Sequence, residues 1–265
     1  MSTSQSNTSE STIVSRLRAA GCVFAEDEAR LLLSSGATPA ELAGMVDRRV
    51  AGFPLEHILG WVEFGGLRIA VDTDVFVPRR RTQFLVQEAA ALTSPGAVVL
   101  DLCCGAGALG VALHAAVGDI EVHAADIEPA AVVCARRNLA EQGGRVYEGD
   151  LFEPLPAALR GNIDILLCNT PYVPTEKIEM MPPEARLHEP RVTLDGGVDG
   201  LDVQRRVAAD AAQWLAPGGH LFVEASEDQA AHTAELFQRG GLIPRITTSD
   251  EFYATVVIGT MPPLR

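Results

Sequence analysis

The chain has 265 residues, 47% hydrophobic and 21% charged, which suits a globular protein with one sizeable domain and a smaller companion. Asp and Glu number 35 against 21 Lys and Arg, and the formal net charge of −14 repels phosphate backbones, which argues against long nucleic acid as a partner. No run approaches the roughly 18 apolar residues of a membrane span, and the opening MSTSQSNTSE lacks the basic-then-apolar pattern of a secretion signal, so a cytoplasmic protein away from membranes is expected.

In chain order, residues 1–10 are polar and Ser/Thr-rich, and read as a disordered tail. Over 11–60 the apolar residues recur at helical spacing: Ile13, Val14, Leu17 and Ala20, then Ala29, Leu32 and Leu33. Thr38-Pro39-Ala40-Glu41 predicts a helix start, with Thr38 as cap, Pro39 at the first position and Glu41 three residues on. This is a small N-terminal helical domain. The period changes over 61–77, where Phe64, Leu67, Ile69, Val71, Val75 and Val77 surround Gly65-Gly66 and Asp72-Thr73-Asp74; a β-hairpin linker is predicted over 61–78. A second domain, 79–265, alternates strand-like and helix-like segments. Strands are predicted at 97–102, 120–125, 144–149, 163–168 and 219–224, with helices such as 127–142 and 202–215 between them. That alternation makes an α/β fold with a mostly parallel sheet. The last two strands, 242–248 and 252–258, are joined by a turn too short for a parallel crossover, so they form an antiparallel hairpin. Seven strands result. The cysteines, Cys22, Cys103, Cys104, Cys134 and Cys168, form no C-x-x-C pair and read as reduced thiols.

Two turns at strand ends carry the chemistry. Asp101-Leu102-Cys103-Cys104-Gly105-Ala106-Gly107 leaves a buried strand and opens an apolar helix at Leu109. Glycine lets backbone approach a ligand closely, and a strand–Gly loop–helix unit at the carboxyl edge of a parallel sheet is a nucleotide site. Asp126, with Ile127 beside it, stands about 20 residues after the glycines at the next strand end, where a carboxylate can accept both hydroxyls of a ribose. Asp150 and Leu151 end the third strand, placed to meet an adenine amino group and ring. The loop is D-x-x-x-G-x-G rather than G-x-G-x-x-G, which turns the reading away from a dinucleotide. The second turn is Asn169-Thr170-Pro171-Tyr172, at the end of the fourth strand.

The second turn resembles the N-P-P-Y motif of amino-type methyltransferases, which act on planar nitrogens of glutamine, adenine or cytosine. With Pro54 to Gly60, Glu63-Phe64, Val77 to Thr82, the Asp101–Gly107 loop, Asp126, His188-Glu189-Pro190-Arg191, Leu194 to Gly197 and Asp199-Gly200-Leu201 in order, nearly the whole chain resembles the protein-(glutamine-N5) methyltransferases that modify peptide release factors. The resemblance implies a class I methyltransferase (Rossmann-like) fold, S-adenosylmethionine as cofactor, a release factor as protein substrate, and substrate recognition by the helical domain over 11–60. Cofactor contacts fall to Asp101, Cys103, Cys104, Gly105, Ala106, Gly107, Asp126, Ile127, Asp150, Leu151 and Asn169. Arg79 and Thr82 join them, although Pro78–Thr82 also reads as a solvated basic turn. Asn169, Thr170, Pro171 and Tyr172 would form the catalytic slot. The chain departs from the family at Thr170, where the first proline stands, and at Cys103 and Cys104, where glycine is usual.

Three alternatives stay open at this level: methylation of a nucleic-acid base, methylation of a specialised metabolite, and an inactive cofactor-binding partner protein. Bland roles are expected for other features. Glu189 and Arg191 would pair with each other, Met180-Met181 would pack, and the six histidines show no metal spacing.

Overall fold

A computed structural model describes residues 9–263. The tail expected over 1–10 lies outside the described residues as far as residue 8; Ser9 already caps the first helix. Four helices open the chain: α1 (Glu10–Ala19), α2 (Ala25–Leu33), α3 (Pro39–Val50) and α4 (Leu55–Leu59). The Thr38 box forms as its sequence requires, Thr38 Oγ1 accepting from the Glu41 backbone N–H (3.4 Å) and the Glu41 carboxylate accepting from the Thr38 N–H (2.8 Å). Ile13, Leu17, Ala25, Ala29, Leu32, Leu42, Val46 and Ile58 make a core of their own. Leu33 points outward, 38% exposed, against the helical spacing that grouped it with Leu32.

Next come β1 (Trp61–Phe64) and β2 (Leu67–Ala70), an antiparallel pair around Gly65 and Gly66. Both glycines have positive φ, as a two-residue hairpin turn needs. The segment 71–78 forms no strand, although its valines suggested one. Asp72 accepts from the Val75 N–H to close a turn and Asp74 is left-handed, so the run bends while Val75 and Val77 stay buried.

The rest of the chain builds the sheet. Its elements are α5 (Gln83–Ala90), β3 (Ala97–Leu102), α6 (Ala108–Val117), β4 (Ile120–Asp126), α7 (Pro129–Asn138), β5 (Arg145–Glu148), β6 (Ile163–Cys168), α8 (Pro183–His188), α9 (Asp202–Trp214), β7 (Leu215–Ala225), α10 (Glu227–Arg239), β8 (Ile243–Ser249) and β9 (Ala254–Thr260). The spatial order is β5-β4-β3-β6-β7-β9-β8, with β3 to β7 mutually parallel and β9 antiparallel to both neighbours. Helix α7 is shorter than the predicted 127–142. Pro129 starts it, and Gly143 is already in a left-handed turn.

Successive strand residues point to opposite faces. Val99, Ile165, Leu167 and Phe222 face α5, α6 and α7, whereas Leu100, Leu166, Leu221 and Val223 face α9 and α10. Parallel strands buried on both faces are continuously apolar for this reason. The strand order reverses between β3 and β6. Leu102 lies opposite Cys168 there, so the turns that follow them open side by side.

Candidate active site

Both turns line one cavity at the carboxyl edge of the sheet. From the first come Cys103, Cys104, Gly105 and Ala106; from the second, Asn169, Thr170, Pro171 and Tyr172. Asp126 and Ile127 follow from β4, Asp150 and Leu151 from beyond β5, and Arg79 and Thr82 from the segment before α5. Asp101 and Gly107 do not line it. Asp101 is fully buried and accepts from the Gly110 N–H (3.0 Å), tying β3 to the start of α6. Burial pushes its carboxyl up to about 8, against the pull of that N–H. Gly107, left-handed at φ 75, lets α6 start against α7, where an added Cβ would stand 3.3 Å from Ala135 Cβ.

The first turn is held by the neighbouring strand end. Asp126 Oδ2 accepts from the Gly105 N–H (2.8 Å) and Oδ1 from the Glu128 N–H (2.9 Å). Burial raises the Asp126 carboxyl and these donors oppose the rise. Cys103 sits at φ 57, a conformation glycine holds without strain. Asp150 Oδ2 accepts from Arg206 Nη2 of α9 (2.7 Å), and Arg206 also lines the cavity.

The second turn is held from further away. Tyr172 donates its phenol to Glu224 Oε1 (2.7 Å) and accepts from Arg81 Nη2 (2.7 Å). Burial raises the Tyr172 phenol above its ordinary value; Glu224 adds to the rise and Arg81 opposes it. Asn169 is half-buried, and among the described residues no hydrogen bond engages its side-chain amide. Thr170 is buried, and its Oγ1 has no partner among the described residues.

Several bland expectations change. Glu189 pairs with Arg79, both of its oxygens within 2.6 Å of Arg79 Nη2, while Arg191 pairs with Asp195. Met180 is 82% exposed and Met181 lines the cavity, so the pair is not core packing. The sequence also gave no role to Phe76, Arg206 or Glu224; in Glu224 the available signal was a lone carboxylate in the apolar run of β7.

The Methyltransferase small domain family model matches residues 79–253. A release factor glutamine methyltransferase of Geobacter sulfurreducens is 39% identical over 226 residues, 83% of this chain and 78% of that protein. The chain belongs to the release factor glutamine methyltransferase family. A 4-amino-L-phenylalanine/4-methylamino-L-phenylalanine methyltransferase of Streptomyces pristinaespiralis is 33% identical over 216 residues, 78% of this chain and 73% of that one. Among solved structures, a methyltransferase from Pyrococcus furiosus superposes with a TM-score of 0.56 at 16% identity, covering 74% of this chain and 90% of its own. The fold is that of class I methyltransferases.

The family's methyl donor is S-adenosylmethionine, and the cavity suits it. Gly105 leaves open space where a Cβ would stand, so its backbone is open to the cavity. The Asp126 carboxylate reaches the wall with a lone pair left on each oxygen. Thr82 Oγ1 lines the cavity and is buried without a partner among the described residues, an unmet polar group of the kind a polar ligand or water satisfies. Among the described residues no group of three or more His, Cys, Asp or Glu could hold a metal ion. None of their helices is long and apolar enough to cross a membrane.

Proposed function

We propose that this enzyme methylates the side-chain N5 of a protein glutamine, that of the Gly-Gly-Gln loop of a peptide chain release factor. The observation that carries this reading is Asn169: a half-buried amide, unengaged by the described residues, beside the Tyr172 ring in the cavity that also holds the Gly105 turn. Bound S-adenosylmethionine supplies an electrophilic methyl group. An amide nitrogen is a poor nucleophile without a proton worth removing near neutral pH, so a side-chain base would gain little. What helps is orientation. Asn169 Oδ1 accepts one N–H of the glutamine amide and the Thr170 carbonyl accepts the other. Together they aim the nitrogen at the cofactor end and favour the positive charge that gathers on it as it takes the methyl group, and the nitrogen then loses one proton to water. Tyr172 walls the slot.

On the cofactor, Asp126 takes the ribose hydroxyls, the free oxygen of Asp150 the adenine amino group, and Ile127 and Leu151 the ring. Gly105 and its neighbours offer backbone, Thr82 its hydroxyl. Asp101 and Gly107 act through the loop they brace.

A protein rather than a nucleic acid suits this cavity. Its arginines Arg79, Arg81 and Arg206 are each paired with a carboxylate, Glu189, Glu224 and Asp150, which leaves them poorly placed to neutralise phosphate. Residues 11–60 would recognise the body of the substrate protein. They contact α8, which lies in sequence between the cavity-lining Met181 and Val192: Arg49, paired with Glu28, also reaches Glu184 (2.7 Å), and Phe53 stacks on His188 at 4.1 Å. The free cysteines fit the reducing cytoplasm, where we place the enzyme.

The test is intact-mass analysis of a release factor from the same organism after incubation with the purified enzyme and S-adenosylmethionine. A mass increase of one methyl group is expected. No increase, with folded enzyme that binds the cofactor, overturns the release-factor assignment.

A further inference from the structure

Tyr172 is gripped at both ends by one corner of the fold. At its phenol, Glu224 Oε1 accepts from the hydroxyl (2.7 Å) and from Arg81 Nε (2.9 Å), while Arg81 Nη2 donates to the same hydroxyl (2.7 Å). The phenol therefore both donates and accepts, and its rotation is fixed. At its main chain, Gln229 Nε2 donates to the Tyr172 carbonyl (3.0 Å) and to the Asp199 carbonyl (2.9 Å), and Gln229 Oε1 accepts from Ser226 Oγ (2.8 Å). Gly200 makes this approach possible. A Cβ there would stand 2.3 Å from the Tyr172 oxygen and 2.4 Å from Gln229 Nε2.

Glu224 lies in the buried run Leu221–Ala225 of β7, one residue beyond Val223, which pairs with Cys168 of β6. Gln229 lies in the first turn of α10, five residues on. The two thus come from a single strand–helix corner one strand away from the slot. The Glu224 side chain is 2% exposed and its Oε2 has no partner among the described residues. A buried carboxylate with an unmet oxygen is a costly way to stabilise a fold, since apolar packing of similar volume does as well or better. Its cost is understandable if it serves the position of what it holds.

We propose that Glu224 and Gln229 are positioning residues for the methyl-accepting slot, Glu224 fixing the Tyr172 ring and Gln229 fixing the Tyr172 backbone. This rests on the slot assignment given above. Neither residue lines the cavity, so both act through Tyr172. A glutamine amide gripped at Asn169 and Thr170 is kept in plane only if the wall beside it stays still. Loss of either clamp therefore acts on turnover of the protein substrate and leaves the cofactor end, held by Asp126, unaffected.

The experiment compares Glu224→Gln, Glu224→Ala and Gln229→Ala with the natural chain, each confirmed folded by circular dichroism. Three measurements are made: S-adenosylmethionine affinity by calorimetry, kcat and KM for the release factor, and the resonances of tyrosines carrying 13C at the ring ζ position. The chain has three tyrosines, Tyr147, Tyr172 and Tyr253, and a Tyr172→Phe variant assigns the signal. Expected are unchanged cofactor affinity and a kcat lower by on the order of tenfold in Glu224→Ala and Gln229→Ala. Glu224→Gln should fall less, since its amide oxygen still accepts from the phenol. The ring signal should also separate the two clamps. Glu224→Gln replaces the carboxylate that accepts from the phenol with a weaker amide acceptor and should move the Tyr172 ring signal, while Gln229→Ala, which touches only the main chain, leaves that signal in place. Natural turnover in both Glu224→Ala and Gln229→Ala overturns the proposal, and so does a Tyr172 signal indifferent to Glu224. If the natural chain leaves the release factor unmethylated, the slot assignment fails instead, and the ring signal still decides whether Glu224 holds Tyr172.

Discussion

The two ends of the cavity are built on different plans. The cofactor end is local: Gly105 is tied to Asp126, which ends the adjacent strand, and Asp126 also ties down Glu128 two residues later. The slot end is a short turn after β6 whose tyrosine is held by Arg81, Glu224 and Gln229, which lie 91, 52 and 57 residues away in sequence. The Gly105–Asp126 tie of the cofactor end needs only β3 and β4 to pair, although Thr82 and the Arg206–Asp150 pair also come to that end from further away. The slot end also needs the segment before α5 and the β7–α10 corner to arrive. Binding the cofactor and orienting the substrate should therefore be separable by mutation.

The sharpest way to break that separation is Asn169→Ala. It is expected to lower turnover on the order of 100-fold, as for loss of one preorganised hydrogen-bonding group, while calorimetry finds S-adenosylmethionine affinity unchanged. A parallel loss of affinity would merge the two ends. Asp126→Ala is the converse. It removes the acceptor of the Gly105 N–H together with the assigned ribose contact, so cofactor binding should weaken by about 1.5–3 kcal/mol. Unchanged affinity takes Asp126 out of the site.

Asp101 sharpens the comparison through pH. Its carboxyl stands at about 8 in the folded chain against an ordinary 3.8. A raised pKa means the folded state holds the proton more tightly. The stability this contributes is complete below 3.8 and is lost as pH rises through about 8. In the cofactor-free enzyme, Asp101→Asn keeps an acceptor for the Gly110 N–H and cannot ionise. Urea denaturation across that window should show the natural chain losing stability relative to the variant as pH rises. Parallel curves would show that Asp101 does not stay protonated. The smallest effect is expected at Thr170. Its buried hydroxyl lacks a partner among the described residues, so Thr170→Val should leave the rate within about threefold and raise stability by up to about 1 kcal/mol, read as a thermal midpoint. A larger loss of rate would mean that the hydroxyl turns toward the substrate.

The sequence disclosed what depends on local pattern. The Thr38 box, the apolar strands β3 and β6 and the closing antiparallel hairpin follow from spacing alone. Glycine, Asn and Pro are ordinary turn residues, and the turns after β3 and β6 stood out only through their combination, Gly105 and Gly107 followed by Asp126 and Asp150 at the next strand ends, and Asn169 with Pro171 and Tyr172 at the end of β6. What stayed hidden depends on which distant side chains meet. Glu189 and Arg191, two residues apart, looked like partners, yet Glu189 closes on Arg79, 110 residues earlier. Asp101 sits in the loop motif, but its side chain points beneath α6, a direction the pattern of a strand buried on both faces does not reveal. Gly200 was visible as a glycine, and only the carbonyl of Tyr172 beside it shows why no other residue fits.

The most direct test of the slot is to locate the transferred methyl group. Purified release factor is treated with the natural enzyme or with Asn169→Ala in the presence of S-adenosylmethionine, then digested and sequenced by fragment-ion mass spectrometry. The expected result is one methyl group on the side chain of the Gly-Gly-Gln glutamine with the natural enzyme and almost none with the variant. Methylation elsewhere in the protein, or equal methylation of that glutamine by Asn169→Ala, would contradict it.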